Sequence, residues 1–365
     1  MRNKAFILIT AAFLAGCSFR PDMPNVDTNF TSTYAFETSD VRDLWWKEFG
    51  DENLNVLVES ALEKNTNLRI AYLNLEKAKA SLGIAEADLL PGVNLNVSYT
   101  KAKTSGETYT GQPQTRYRSS SINLGLNYEI DLWGRVRNSV LAANESLNAS
   151  KFDYDSARLS LSSSVAKSYF ALVSLNMQEA VLKETLKTYE DTLALRKTQL
   201  DLGGINEMTY LQSKAEVERA KTSLTSALNS KSQALTSLAI LTGKSNDEIL
   251  KGAVASAQNL PSSPEIKAGI SSDVLLRRSD VAKALADLKA TNALIGVAKA
   301  DYFPTISLTG LLGFTSVDFE NIFVGNANTW NIGGSLAQKI FDYGRTKNNV
   351  RIAETNEQIA AVTYE

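Results

Sequence analysis

The sequence predicts an α+β membrane protein made of short two-faced strands and very long helices. Three observations carry that reading. Segments around 93–99, 122–130, 305–315 and 329–341 alternate apolar with small or polar residues over about ten positions, the length of a strand that crosses a bilayer. Residues 135–202 contain neither proline nor glycine, and Val136, Val140, Ala143 and Leu147 step along them as a helix seam. The run Gly83 to Pro91 (GIAEADLLP) returns in matched order as Gly296 to Pro304 (GVAKADYFP), the mark of an internal duplication.

The composition narrows the chemistry. With 365 residues, 44% of them apolar and 21% charged, the chain can bury a large core. A formal net charge of -2 gives no electrostatic footprint for nucleic acid. There is no histidine, which removes His-based triads, the HExxH zinc site and most general-base schemes near neutral pH. The single cysteine, Cys17, forms neither a disulfide framework nor a Cys-rich metal site. Gly243-Lys244-Ser245 imitates the end of a P-loop, but that motif needs a glycine where Leu238 stands, so Gly243 reads as a helix C-cap. The expectation is a protein without enzymatic residues, metal or cofactor.

Residues 1–17 read as an export signal, with Arg2 and Lys4 followed by the apolar run Ala5 to Ala15 and then Gly16-Cys17. Leu14-Ala15-Gly16-Cys17 looks like a bacterial lipobox, which makes Cys17 the expected lipidation site and the mature N-terminus. An ordinary signal with a chance cysteine and a short anchor are the alternatives, and the apolar run is too short to span a bilayer. Two or three acyl chains hold a protein stably at a membrane surface. By analogy with bacterial lipoproteins, Ser18 in place of aspartate points to the outer membrane.

Residues 18–64 are a polar tether followed by a short helix with Leu54, Leu57, Val58, Ala61 and Leu62 on one face. Residues 65–250 form a first repeat of helix, β-hairpin and long helical hairpin. Asn65-Thr66-Asn67 offers the N-cap of a helix from Leu68 to about Leu89, stopped by Pro91. Val93, Leu95, Val97 and Tyr99 alternate, the polar stretch Thr104 to Arg118 follows, and Ile122, Leu124, Leu126, Tyr128 and Ile130 alternate again. These dimensions suit a membrane-spanning hairpin, and a soluble sheet hairpin carries the same pattern. Asp131 to Arg135 feed the second strand straight into the long helix, with Gly134 tolerating backbone angles that a side chain would forbid. That helix spans roughly 100 Å at 1.5 Å per residue and needs a partner along its length.

Gly203-Gly204-Ile205 turn the chain into a returning helix, Glu207 to Thr242. Leu182, Leu186, Tyr189, Leu193 and Leu200 on one arm, with Leu224, Leu228, Leu235 and Leu238 on the other, give coiled-coil spacing. Residues 251–271, with Pro261 and Pro264, are a linker. Residues 272–365 are a second, incomplete repeat in which Tyr343-Gly344-Arg345 answers Trp133-Gly134-Arg135. No second coiled-coil hairpin follows, so the chain is expected to be a fragment of a protein about 100 residues longer. Asp88 and Asp301, each in its own repeat, read as caps or turn formers rather than a catalytic pair. Arg135 and Arg345 read as structural contacts at the strand-to-helix junctions, and Trp133 and Trp330 as interfacial anchors or as core.

Four strands cannot close a barrel, and open edges are forbidden in lipid, so closure requires several chains. Three would supply twelve strands, within the range of outer-membrane barrels. A tube without active-site chemistry is a conduit. The reading from another class is a structural periplasmic lipoprotein with coiled-coil arms and no pore, which the alternating segments disfavour.

Four segments carry a family resemblance. They are Trp46, Phe49, Asp51, Leu54 and Ala61; Tyr128 to Arg135 (YEIDLWGR); residues 272–281 (SDVLLRRSDV); and Ile340 to Arg345 (IFDYGR). With these the chain resembles the TolC-like outer membrane factors, in their lipoprotein efflux branch. It departs at Ser279 and Lys339, where the family usually has proline. The resemblance implies a homotrimer with a 12-stranded β-barrel in the outer membrane and an α-helical barrel crossing the periplasm. It further implies that Gly203-Gly204-Ile205 is a helical tip meeting a periplasmic adaptor, with an inner-membrane pump of the RND type supplying energy for export of drugs and other small toxic compounds. Type I protein secretion is the other channel reading. Gate residues belong to the family's C-terminal region, so none is assigned.

Overall fold

A computed structural model describes residues 18–24, 44–107, 114–251, 260–261 and 278–365. Its helices are α1 (Glu52–Lys64), α2 (Thr66–Ala87), α3 (Arg135–Asp201), α4 (Glu207–Thr242), α5 (Asn246–Ile249), α6 (Ser279–Ala300) and α7 (Arg345–Tyr364). Its strands are β1 (Gly92–Lys103), β2 (Arg116–Ile130), β3 (Thr305–Ser316) and β4 (Asn328–Ala337). The chain divides into two compact units, one drawn from Met1–Asn29, Leu75–Lys151 and Asp280–Glu365, the other from Phe30–Asn74 and Phe152–Ser279.

The first unit holds one antiparallel sheet in the order β1-β2-β3-β4, so the two hairpins lie side by side through β2 and β3. Leu95 faces Leu124, Leu124 faces Leu312, and Leu312 faces Trp330. The first hairpin is longer than the side-chain alternation indicates, because ladder pairing continues through Lys101 opposite Arg118 and Lys103 opposite Arg116. The fourth strand is shorter: it leaves the ladder at Ala337, and the Gln338 side chain instead donates to the carbonyls of Tyr302 and Lys339. In the same unit, α6 buries Ala286, Leu288, Ala290, Ala293 and Ile295, and its alanines permit close helix approach. Asn292 on α6 donates to Glu357 on α7 at 2.7 Å, and Lys299 pairs with Glu354 at 3.3 Å.

The second unit has its own core, in which Leu54, Leu57, Val58 and Ala61 of α1 pack with Val165, Tyr169, Leu172 and Val173 of α3 and Leu235 and Leu238 of α4. Asp51 does two things at the start of α1. One carboxylate oxygen accepts the N–H groups of Asn53 and Leu54 at 2.9 and 3.2 Å, and the other accepts the Tyr169 hydroxyl at 2.7 Å. Burial, reinforced by this bond to the carboxylate, pushes the Tyr169 phenol far above its ordinary range. Asn65 ends α1 and caps α2 by accepting the N–H groups of Asn67 and Leu68, while its amide donates to the Leu241 carbonyl.

The coiled-coil seam differs from the leucine reading. On α4 the residues turned inward are Val217, Ala220, Leu224, Ala227, Lys231, Leu235 and Leu238, whereas Leu228 is exposed, as is Tyr189 on α3. The steps of three and four run through alanine, and Leu228 lies one position off the stripe. Lys231 lies in this seam and reaches Asn176 and Glu179 of α3, each at 2.6 Å. Hydrogen bonds from Lys183 and Lys231 hold the Glu179 carboxyl below its usual range. A single polar group in an apolar seam favours one register of two helices over its neighbours.

Candidate functional site

The register divides the sheet into two unlike faces. One carries Val93, Leu95, Val97 and Tyr99 of β1, Ile122, Leu124 and Leu126 of β2, Leu308 and Leu312 of β3, and Trp330, Ile332 and Leu336 of β4. The other carries Asn94, Asn96 and Ser98, then Ser121, Asn123 and Asn127, then Thr309 and Thr315, then Thr329 and Asn331. The apolar face is open: Leu95 is 64% exposed and Ile332 is 80% exposed. A contiguous apolar surface of this kind marks contact with a membrane or partner. Among the described residues no helix is long and apolar enough to cross a membrane. A β-strand with an apolar outer face and a polar inner face meets the requirements of a barrel wall around water. The outer edges of β1 and β4 carry no further strand of this chain among the described residues.

At the base of the sheet, β2 passes into α3 through Gly134, whose φ of 77° lies in the left-handed region where a Cβ is costly. Arg135 closes on Glu129 with two parallel bonds, Nε to Oε1 at 2.8 Å and an Nη to Oε2 at 2.7 Å. Such a fork fixes direction as well as distance. Arg137 uses its backbone N–H and its Nε on one oxygen of Asp131, at 2.8 and 3.2 Å. Trp133 is part-buried, donates to the Pro304 carbonyl at 2.7 Å, and stacks on Phe303 with ring centres 4.9 Å apart. It therefore ties the first junction to the start of β3. Phe19 adds a third ring, 4.3 Å from Phe303 and nearly parallel to it.

The second junction repeats the left-handed glycine but neither the rest of the backbone nor the buttress. Tyr343 and Gly344 both have positive φ, 55° and 82°, and Tyr343 is 87% exposed. Lys339 stands in the place of Glu129, so the fork to the arginine is lost. Asp342 instead accepts the Gly344 N–H at 3.0 Å and both the N–H and hydroxyl of Thr346 at 2.8 and 2.6 Å. These bonds, the Thr346 hydroxyl first, hold its carboxyl below the usual range at the start of α7.

In the helical unit, Gly203-Gly204-Ile205 form the turn between α3 and α4. Gly203 has φ 73°, and the Gly204 N–H reaches back to the Gln199 carbonyl at 2.8 Å, a left-handed helix end. Asn206 then caps α4 through the Thr209 N–H at 3.0 Å. Beside the turn Leu202 is 81% exposed, an apolar side chain offered to solvent at a tip. Cys17 lies outside the described residues. Among them no group of acidic residues is placed to hold a metal ion.

Sequence reasoning singled out Trp133, Gly134 and Arg135 but missed their partners Glu129, Phe303 and Phe19. Glu129 sits in the quoted YEIDLWGR segment, and Phe303, like Tyr302 beside it, is a ring where the earlier run has a leucine, so both left a trace. Phe19 left none.

Comparison with known proteins agrees with this geometry. Residues 57–244 and 270–365 match the profile of the family described as outer membrane efflux protein. The outer membrane protein OprJ of Pseudomonas aeruginosa is 31% identical over 383 residues, covering 100% of this chain and 78% of that protein. The probable outer membrane lipoprotein SilC of Salmonella typhimurium is 28% identical, covering 99% of this chain and 79% of that one. The crystal structure of the Campylobacter jejuni CmeC outer membrane channel superposes with a TM-score of 0.84 at 34% identity, covering 95% of this chain and 76% of that chain. With its two-faced sheet and its match along most of the sequence, this chain belongs to the outer membrane efflux protein family.

Proposed function

We propose that the chain is one subunit of a homotrimeric exit duct of a tripartite efflux system, passive in itself and opened at its inner end to a periplasmic adaptor and an RND-type pump. The observation that carries the reading is the sheet: an exposed apolar face, a face of Asn, Ser and Thr, and edges of β1 and β4 that pair with no further strand among the described residues. Edges left open in hydrocarbon are untenable, so β4 of one subunit meets β1 of the next. The cargo is drugs and other small toxic compounds, chosen by the pump. A covalent lipid on Cys17 holds the subunit to the outer membrane, a role supported by the relative described as a probable lipoprotein. The native protein is expected to form ion-conducting channels in planar bilayers; a water-soluble monomer without conductance, once the lipid is removed, rejects the reading.

The tip Gly203-Gly204-Ile205 is the adaptor contact in this scheme, with Leu202 as its apolar anchor. Gly204→Trp is the clean probe. A Cβ at Gly204 comes only within 3.4 Å of the Gln199 carbonyl, whereas any side chain at Gly203 strains a left-handed backbone. The variant is expected to reach the outer membrane and conduct as before while adaptor crosslinking falls at least tenfold and drug susceptibility rises. Unchanged crosslinking removes the docking role.

A further inference from the structure

The apolar face of the first hairpin ends in a cluster of four cations. Lys101 and Lys103 continue the row Val93, Leu95, Val97 and Tyr99, and directly opposite them stand Arg118 and Arg116. Paired positions share a face, so all four project on the apolar side of the sheet and not on the Asn and Ser side. Like charges placed directly across an antiparallel pair are destabilising, so the arrangement calls for an external counter-charge. Within the protein that charge is scarce. Arg118 lies 3.7 Å from Asp318, both of them exposed, and among the described residues Lys101, Lys103 and Arg116 have no carboxylate at salt-bridge distance. The loop between the strands contains one acid, Glu107.

The height of the cluster fits the surface of a bilayer. At about 3.4 Å per residue and a strand tilt near 40°, Lys101 stands roughly 21 Å and Lys103 roughly 26 Å above Val93, against an apolar belt of about 25 Å. Tyr99 marks the boundary on β1, at the level where interfacial aromatic residues sit. The segment between β3 and β4 comes to the same level and face: Phe323 packs on Phe314 at 5.5 Å, and Asp318 meets Arg118. The cluster lies at the hairpin end remote from α2 and α3, which in the proposed duct is the end away from the periplasm.

We propose that Lys101, Lys103, Arg116 and Arg118 form a binding surface for phosphorylated lipid headgroups of the outer leaflet, clamping the barrel rim to its surrounding lipid. The proposal rests on the reading of the sheet as a membrane-embedded wall. The acyl chains of the bound lipid lie along Val97, Leu95 and Ile122, and its phosphates are held among the four cations. Such a basic cluster at a membrane surface recognises anionic headgroups through charge, and arginine adds paired hydrogen bonds to phosphate oxygens.

The test uses native channels reconstituted into phosphatidylcholine vesicles containing either bisphosphorylated lipid A or the same glycolipid stripped of phosphate. Retained glycolipid is counted by native mass spectrometry, and conductance is recorded on the same preparations. Wild type is expected to retain the phosphorylated form at least tenfold better. In Lys101→Gln, Lys103→Gln, Arg116→Gln and Arg118→Gln combined, that preference is expected to vanish. A variant exchanging lysine for arginine and arginine for lysine at the four positions is expected to keep it. Equal retention by the glutamine variant, no phosphate preference in wild type, or release of the lipid by millimolar inorganic phosphate overturns the proposal. A wild type that neither inserts nor conducts sinks the barrel reading as well, and the conductance record separates that failure from a loss of lipid preference alone.

Discussion

Gly313→Ala is expected to empty the outer membrane of assembled channel. A Cβ at this position would drive into the Ile122 carbonyl and the backbone and side chain of Asn123, all on the neighbouring strand of the first hairpin. Backbone cannot swing aside as a long side chain can, so the β2–β3 pairing that joins the two hairpins must part or slip. Overpacking at a well-fitted site costs about 1–3 kcal/mol, and a clash with backbone belongs at or above the top of that range. A one-residue slip would also exchange the apolar and polar faces of the sheet. Gly310→Ala is the control on the same strand. Its Cβ would lie 3.5 Å from the Leu126 Cβ, ordinary contact, and the change is expected to be within about 1 kcal/mol of wild type. The two variants are compared by the amount of trimer that resists detergent in the outer-membrane fraction and by its melting temperature. Equal behaviour of the two would mean that the β2–β3 ladder is not what holds the hairpins together.

Helix limits were open to sequence reasoning because chemistry punctuates them. Both ends of Glu207–Thr242 are set by residues with side-chain or backbone reasons to stop, Asn206 at one end and Gly243, with φ 66°, at the other. Strand limits were legible only in part: β3 falls within a residue of its expected bounds, whereas β2 begins earlier and β4 ends earlier than the side-chain pattern indicates, because ladder bonds are made by backbone. Lys101, Lys103, Arg116 and Arg118 break the apolar alternation but not the pairing, so the periodicity ended early while the strands did not. The seam of the helical hairpin misled for a related reason: bulky Leu228 draws the eye, yet the facing helix meets Ala227. In the candidate site, Gly134 and Gly344 announced themselves as the residues able to adopt positive φ at a change of geometry. Glu129, only six residues from Arg135, left no more than its place in the YEIDLWGR segment, and Phe19 left nothing, because its partners lie elsewhere in the chain and pairing distance is a property of the fold. Phe19, remote in sequence from both Trp133 and Phe303, is the plainest case.

Val97→Arg and Asn96→Arg, neighbours on β1, are expected to have opposite consequences. Val97 projects on the apolar face and is 65% exposed, midway between Val93 and Lys101 and so near the centre of the apolar belt. An arginine facing lipid at the bilayer midplane costs about 2–4 kcal/mol, and a trimer bears it three times, for roughly 6–12 kcal/mol per barrel. Against the marginal stability of a folded domain, about 5–15 kcal/mol, that is enough to block insertion or assembly. Asn96 projects on the face of Asn, Ser and Thr, where water solvates the guanidinium and the fold loses little. Its variant is expected to insert in normal amounts and to shift the channel's ion selectivity toward anions, since three new cations line the lumen. Outer-membrane yield and reversal potential in asymmetric salt read the two effects separately. If Val97→Arg inserts normally while Asn96→Arg fails, the assignment of the faces is inverted. If both insert with unchanged selectivity, β1 does not line a membrane pore, because no arrangement of a strand in a barrel wall leaves two adjacent residues both clear of lipid and clear of the lumen.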